Sequence, residues 1–130
     1  MTLFDHLEPK DVEWLHTVGT ERALGPGDSL VDRGEDLEAI YVVLSGLLST
    51  EPGFRPGVPF SPGAIIGEFS FLDGHPASAV VTAVESSRVL RIARGDITEY
   101  IQKQPTFGVR FYKAMGWIVA TRLRRVLEQL

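Results

Sequence analysis

No cysteine occurs anywhere in the 130 residues. Disulfides, thiolate metal sites and cysteine nucleophiles are therefore excluded, and redox chemistry says nothing about compartment. No run approaches the ~18 apolar residues needed to cross a bilayer. The start, Met1-Thr2-Leu3-Phe4-Asp5-His6, lacks the basic segment and apolar stretch of a signal peptide. A cytoplasmic location is the expectation, and a helix soon after Met1 reads as a natural N-terminus. Only three histidines are present (His6, His16 and His75), with no His-x-His pair. That is thin for a metal centre, and no nucleophile elbow accompanies them. No catalytic residue and no metal ligand is assigned, and the chain reads as a non-enzyme.

What is present fits one domain with one core. Hydrophobic residues make up 44% and charged residues 23%, close to globular averages. Charge is unevenly placed. Residues 1–90 carry five basic and fourteen acidic side chains, a net of −9, whereas residues 91–130 carry eight basic and three acidic, a net of +5. An acidic body does not suit a DNA backbone. The basic C-terminal segment reads as solvated charge on a helix, favoured near its C-terminus by the helix dipole.

Residues 8–18 predict a short helix, with Pro9 in its first turn, Leu7 and Val12 spaced as a hydrophobic staple, and Val12, Leu15 and Val18 facing inward. Short apolar segments broken by turns follow. Strands are expected at 29–31, 39–44, 47–50, 58–60, 79–84 and 89–92, with Ser45-Gly46 as a hairpin turn and a Pro/Gly-rich loop across 51–63. This spacing argues for a jelly roll or barrel, a generic β-sandwich being the alternative. Asp96 with Glu99 has the form of a capping box, before an inward stripe of Ile97, Tyr100 and Ile101. Pro105 interrupts. A longer helix from about Thr106 to the end carries Phe111, Met115, Val119, Leu123, Val126 and Leu130 at helical spacing. The aromatics Phe54, Phe60, Phe69 and Phe71 are expected in the core.

Residues 63–82, Gly-Ala-Ile-Ile-Gly-Glu-Phe-Ser-Phe-Leu-Asp-Gly-His-Pro-Ala-Ser-Ala-Val-Val-Thr, resemble the phosphate-binding cassette of the cyclic-nucleotide-binding domains, the family of the cAMP receptor proteins and kinase regulatory subunits. Gly25-Pro26-Gly27-Asp28 with Arg33-Gly34-Glu35, the strand Ile40–Leu44 ending at Gly46, and Ser61-Pro62-Gly63 follow in the family's order. The resemblance covers nearly the whole chain. It implies a mainly β fold, a double-stranded β-helix (jelly roll) with flanking helices: an N-terminal helical part over 1–22, a β-roll over 23–93 with the cassette at 63–82, and C-terminal helices over 95–130. It also implies a regulatory sensor module.

The resemblance places candidate ligand contacts at Gly67, Glu68, Phe69, His75, Ala77, Ser78 and Ala79, with Thr121 and Arg122 near a purine base. Gly67 allows close backbone approach. Glu68 is set to accept from a ribose hydroxyl, or else to hold cassette amides. A short helix from Phe69 to Leu72 offers free N–H groups to a phosphate. Ala77 stands where the family usually has a phosphate-gripping arginine, so tight cAMP binding is not expected. Arg88, Arg91 and His75 are the substitutes weighed, with His75 read as an exposed turn residue. The ligand expected is a cyclic nucleotide (cAMP or cGMP) or another small anion. The long helix implies a parallel homodimer through residues 116–130, with Val119, Leu123, Val126 and Leu130 as the seam, and a protein effector as partner. No DNA-binding domain follows in this sequence. The reading from another class is a ligand-free structural or dimerisation domain with a vestigial pocket.

Overall fold

The computed structural model describes residues 2–51 and 57–130. Its organising element is β3 (Ala39–Ser45), an apolar strand whose two faces are both covered. Side chains alternate along a strand. Ile40 and Val42 therefore enter one core, beneath the helices, with Leu90 and Ile92 beside them. Ala39, Tyr41 and Val43 enter a second core inside the roll, with Val89 beside them.

Among the described residues eight strands form two antiparallel sheets. The first has the order β1 (Thr20–Leu24), β8 (Ser87–Ala93), β3, β6 (Ile65–Ile66). The second has the order β2 (Ser29–Val31), β7 (Val81–Ala83), β4 (Leu48–Thr50), β5 (Pro59–Phe60). A 3-10 turn (Leu3–His6) and α1 (Pro9–Val18) precede the sheets, α2 (Glu68–Asp73) lies within the roll's sequence, and α3 (Arg94–Lys103) and α4 (Pro105–Glu128) follow. Among the described residues no helix is long and apolar enough to cross a membrane.

Several expectations are corrected. The roll begins at Thr20, inside the stretch assigned to the helical N-terminus. Ser45-Gly46 is not a hairpin: β3 and β4 lie in different sheets, so the turn is a corner between them. Gly46 has φ +89°, and a Cβ there would lie 2.2 Å from Ser87 Oγ and 2.5 Å from Ser86 O. Ser87 is itself fixed, taking a hydrogen bond from the Leu47 N–H and donating to the Glu85 carbonyl. Gly46→Ala combines a left-handed backbone with overlap against main chain. We expect a loss of roughly 2–4 kcal/mol in urea unfolding. A loss below 0.5 kcal/mol would mean that this corner relaxes freely.

The inward face of α1 is centred on Asp11 and Leu15, with Val12 only partly buried. Asp11 accepts two hydrogen bonds from Arg110 of α4 (Nε to Oδ2, 2.8 Å; Nη2 to Oδ1, 2.9 Å) and one from the Glu8 N–H (2.9 Å). Helix α3 starts at Arg94, so Asp96 is not its cap, and Glu99 accepts from Lys103 instead. The stripe on α4 divides. Phe111 and Met115 are buried, joined by Phe107, Ala114 and Ile118, whereas Leu123, Val126 and Leu130 are exposed.

Phe60 is buried and Phe71 packs on the helical core, but Phe69 is 48% exposed. In a helix as short as α2 only one face can turn inward, and Ser70 and Phe71 occupy it. Phe54 lies outside the described residues.

Candidate functional site

The cassette builds one wall of a pocket. Gly67 carries φ +96°, and a Cβ there would stand 3.3 Å from both Ala39 O and Leu37 Cδ1. The left-handed backbone favours glycine, and the close neighbours leave a side chain little room. The chain turns at Gly67 directly into α2, which places Glu68 at the helix start with 2% of its surface exposed. Arg94, at the start of α3, donates to the Ser70 and Phe71 carbonyls (2.9 and 3.1 Å) and so holds the last turn of α2.

Glu68 is met by Arg122 of α4: Arg122 Nη1 contacts Glu68 Oε1. The same guanidinium donates through Nη2 to the Ile65 carbonyl at 2.8 Å and lies 5.0 Å from the centre of the Phe60 ring. Arg122 thus ties α4 to the end of β5, to β6 and to α2 at once. Burial, and then the charge of Arg125, push its pKa down to about 10. It is a cation at neutral pH. Among the described residues no backbone N–H donates to the Glu68 carboxylate.

Between the roll and α4 lies a cavity of about 490 Å³, in the range of small-molecule sites. Its inner surface includes Val31, Leu37, Phe60, Ile66, Ala77 and Val81, which belong to the second core. Its outer wall is α4, through Val119, Arg122, Leu123, Arg125, Val126 and Gln129.

Of the candidate residues, Gly67, Glu68, Phe69, Ala77, Ser78, Ala79 and Arg122 all line this cavity. Two do not. His75 is exposed, and its N–H is bound to Asp73 Oδ1. Thr121 turns its hydroxyl to the Trp117 carbonyl. The proposed substitutes are also elsewhere, Arg88 paired with Glu21 and Arg91 outside the lining. The backbone of Ala77 is engaged with the 34–35 turn, its N–H on Glu35 O (2.9 Å) and its carbonyl accepting from Gly34 N–H (2.8 Å). The N–H groups of Ser78 and Ala79 have no backbone partner among the described residues.

Sequence reasoning did not assign Phe60, Arg125 or Gln129 to the pocket. The signal was available in part, because residues 119, 122, 126 and 129 recur at three- and four-residue steps on one helix face. Three residues expected at a subunit seam, Val119, Leu123 and Val126, also line the cavity of their own chain.

Comparison with known proteins agrees with this geometry. The family model described as "Cyclic nucleotide-binding domain" matches residues 21–104. The Cyclic AMP receptor protein of Thermus thermophilus is 32% identical over 108 residues, which cover 79% of this chain and 50% of that protein. Lysophospholipase NTE1 of Pyricularia oryzae is 27% identical over 122 residues, 90% of this chain but 7% of that protein. The chain therefore spans half or less of these curated relatives. A solved cyclic nucleotide-binding domain from Methylobacillus flagellatus shares the fold, with a TM-score of 0.84 at 19% identity over 95% of this chain and 72% of that one.

Proposed function

This chain belongs to the cyclic nucleotide-binding domain family, and from that premise we propose that it is a regulatory sensor module in which α4 reads the occupancy of the pocket. The observation that carries the reading is the Glu68–Arg122 contact. One partner belongs to the cassette and the other to the helix that closes over it. A ligand hydroxyl that competes for Glu68, as a ribose would, loosens the hold of the cassette on Arg122 and changes the position of α4. Breaking a buried pair from one side is costly because the remaining charge is left uncompensated, by about 3–5 kcal/mol.

Arg122→Ala should therefore lower stability by roughly 2–4 kcal/mol, somewhat less because the arginine is partly exposed. It should also raise amide hydrogen exchange across residues 119–129 while leaving β3 and β8 protected. Unchanged exchange in α4 would remove the basis for the proposed coupling.

Cyclic AMP and cyclic GMP are the ligands the family supplies, and the small anion class remains with them. Ala77 offers the phosphate neither a cation nor a free N–H, so the affinity we propose is weak. A thermal-shift panel at millimolar nucleotide tests this, since any ligand of the native state raises apparent stability by mass action. Submicromolar cAMP binding would contradict it.

A second reading has its own support. Val109, Tyr112, Gly116, Val119, Leu123, Val126 and Leu130 follow a three–four spacing along α4, and all but the partly buried Val119 are exposed, Leu130 to 93%. We propose this seam as the route to a homodimer or an effector protein. A monomeric mass by light scattering at tens of micromolar would count against the homodimer.

A further inference from the structure

We infer that the pocket takes a small amphipathic acid, its carboxylate at Arg125 on the rim and its apolar body against Val31, Leu37 and Ala77 on the floor. The inference rests on the sensor reading above and gives its ligand a chemical class. Among the described residues three charged side chains line the cavity, Glu68, Arg122 and Arg125. The first two neutralise each other, and Arg122 is further occupied by the Ile65 carbonyl and the Phe60 ring. Among the described residues that leaves the positive charge of Arg125, with the amide of Gln129 one turn along the same face. Both residues are exposed. A monoanion balances that charge and relieves the repulsion between Arg125 and Arg122 that helps hold down the pKa of Arg122.

The deep end has the opposite character. Val31, Leu37, Ile66 and Val81 are all buried and apolar, and Ala77 packs among them. An anion placed there meets only the Ser78 and Ala79 N–H groups, without a cation among the described residues. A hydrocarbon or aryl group placed there leaves water for an apolar surface, which is favourable in proportion to its area. The pocket is thus apolar within and cationic at its rim.

The test is calorimetric titration of the full chain with octanoate, decanoate and 4-phenylbutyrate, each beside its methyl ester, and with cAMP as comparator. The acids should bind about tenfold or more tighter than the esters, and each added methylene from octanoate to decanoate should raise affinity about threefold to fourfold. Arg125→Gln, a change at an exposed position, should erase the preference for acid over ester. Acids and esters binding alike, or affinity independent of chain length, overturns the assignment while leaving a sensor pocket. Binding of cAMP alone overturns it and leaves the cyclic-nucleotide reading standing. No heat and no thermal shift from any probe, cAMP included, overturns both.

Discussion

Ala77→Arg is expected to raise the affinity for cAMP by roughly tenfold to several-thousandfold. A hydrogen bond to a charged group contributes about 1.5–3 kcal/mol, and leaving a buried charge unpaired costs about 2–5 kcal/mol. At 1.4 kcal/mol per decade these figures span that range. The structure gives the substitution its chance. Ala77 lines the cavity, its backbone is fixed on both sides by the 34–35 turn, and the next two N–H groups have no backbone partner among the described residues. A guanidinium at this position would add a cation beside those two N–H groups. Ala77→Met, of similar length and uncharged, should show no gain. Titration calorimetry of the two variants separates charge from bulk. No gain in the arginine variant would mean that the cassette does not present its amides to the cavity, and the proposed ligand site would go with it.

Removal of Asp11 should be strongly destabilising although the residue lies outside the apolar core. Asp11 is fully buried and takes three hydrogen bonds, two from Arg110 and one from the Glu8 N–H. Asp11→Ala strips that guanidinium of its two short hydrogen bonds, leaves it the longer contact to the Glu8 carboxylate (3.5 Å), and loosens α1 from α4. We expect a loss of about 3 kcal/mol, which for a domain of this size lowers Tm by on the order of 10 °C. The loss has a pH signature. Burial pushes the Asp11 carboxyl up, but the hydrogen bonds and charge of Arg110 and the Glu8 N–H outweigh it and hold the group below the usual carboxylate range. A depressed acid stabilises the fold fully above its unfolded pKa, about 4, and loses that contribution as pH falls through the folded value. Native and variant should thus differ most near neutrality and converge below about pH 4. A gap that stays constant from pH 7 to pH 3 would show that the effect is packing and not charge.

What was legible in the chain follows from which signals are local. The run Ala39–Leu44 announced a strand because it is apolar on both faces, and Pro105 announced a helix break because the residue before a proline avoids helical geometry. β1 was missed because Thr20-Glu21-Arg22-Ala23 is exposed and only Leu24 is buried, so no alternation betrays an edge strand. The corner at Gly46 was taken for a hairpin because a glycine turn between two apolar segments has the same sequence whether the second strand pairs with the first or crosses to another sheet. Asp11 was overlooked because its partner is 99 residues away, and Phe69 was placed in the core because composition cannot say which face of a six-residue helix turns inward.

The sequence by itself determined the family, the order of helix, roll and helices, the cassette with its glycine and carboxylate, and the substitution at Ala77. These depend on residue types at short separations, where turn geometry and side-chain period leave few alternatives. Only the tertiary structure decided that Arg122 closes on Glu68, that Arg125 stands at the rim, and that His75 and Thr121 face away from the cavity. Those outcomes depend on how α4 is rotated over the roll. The buried side chains Phe107, Phe111, Met115 and Ile118 set that rotation by packing against both sheet and helices at once, a condition no single stretch of chain contains.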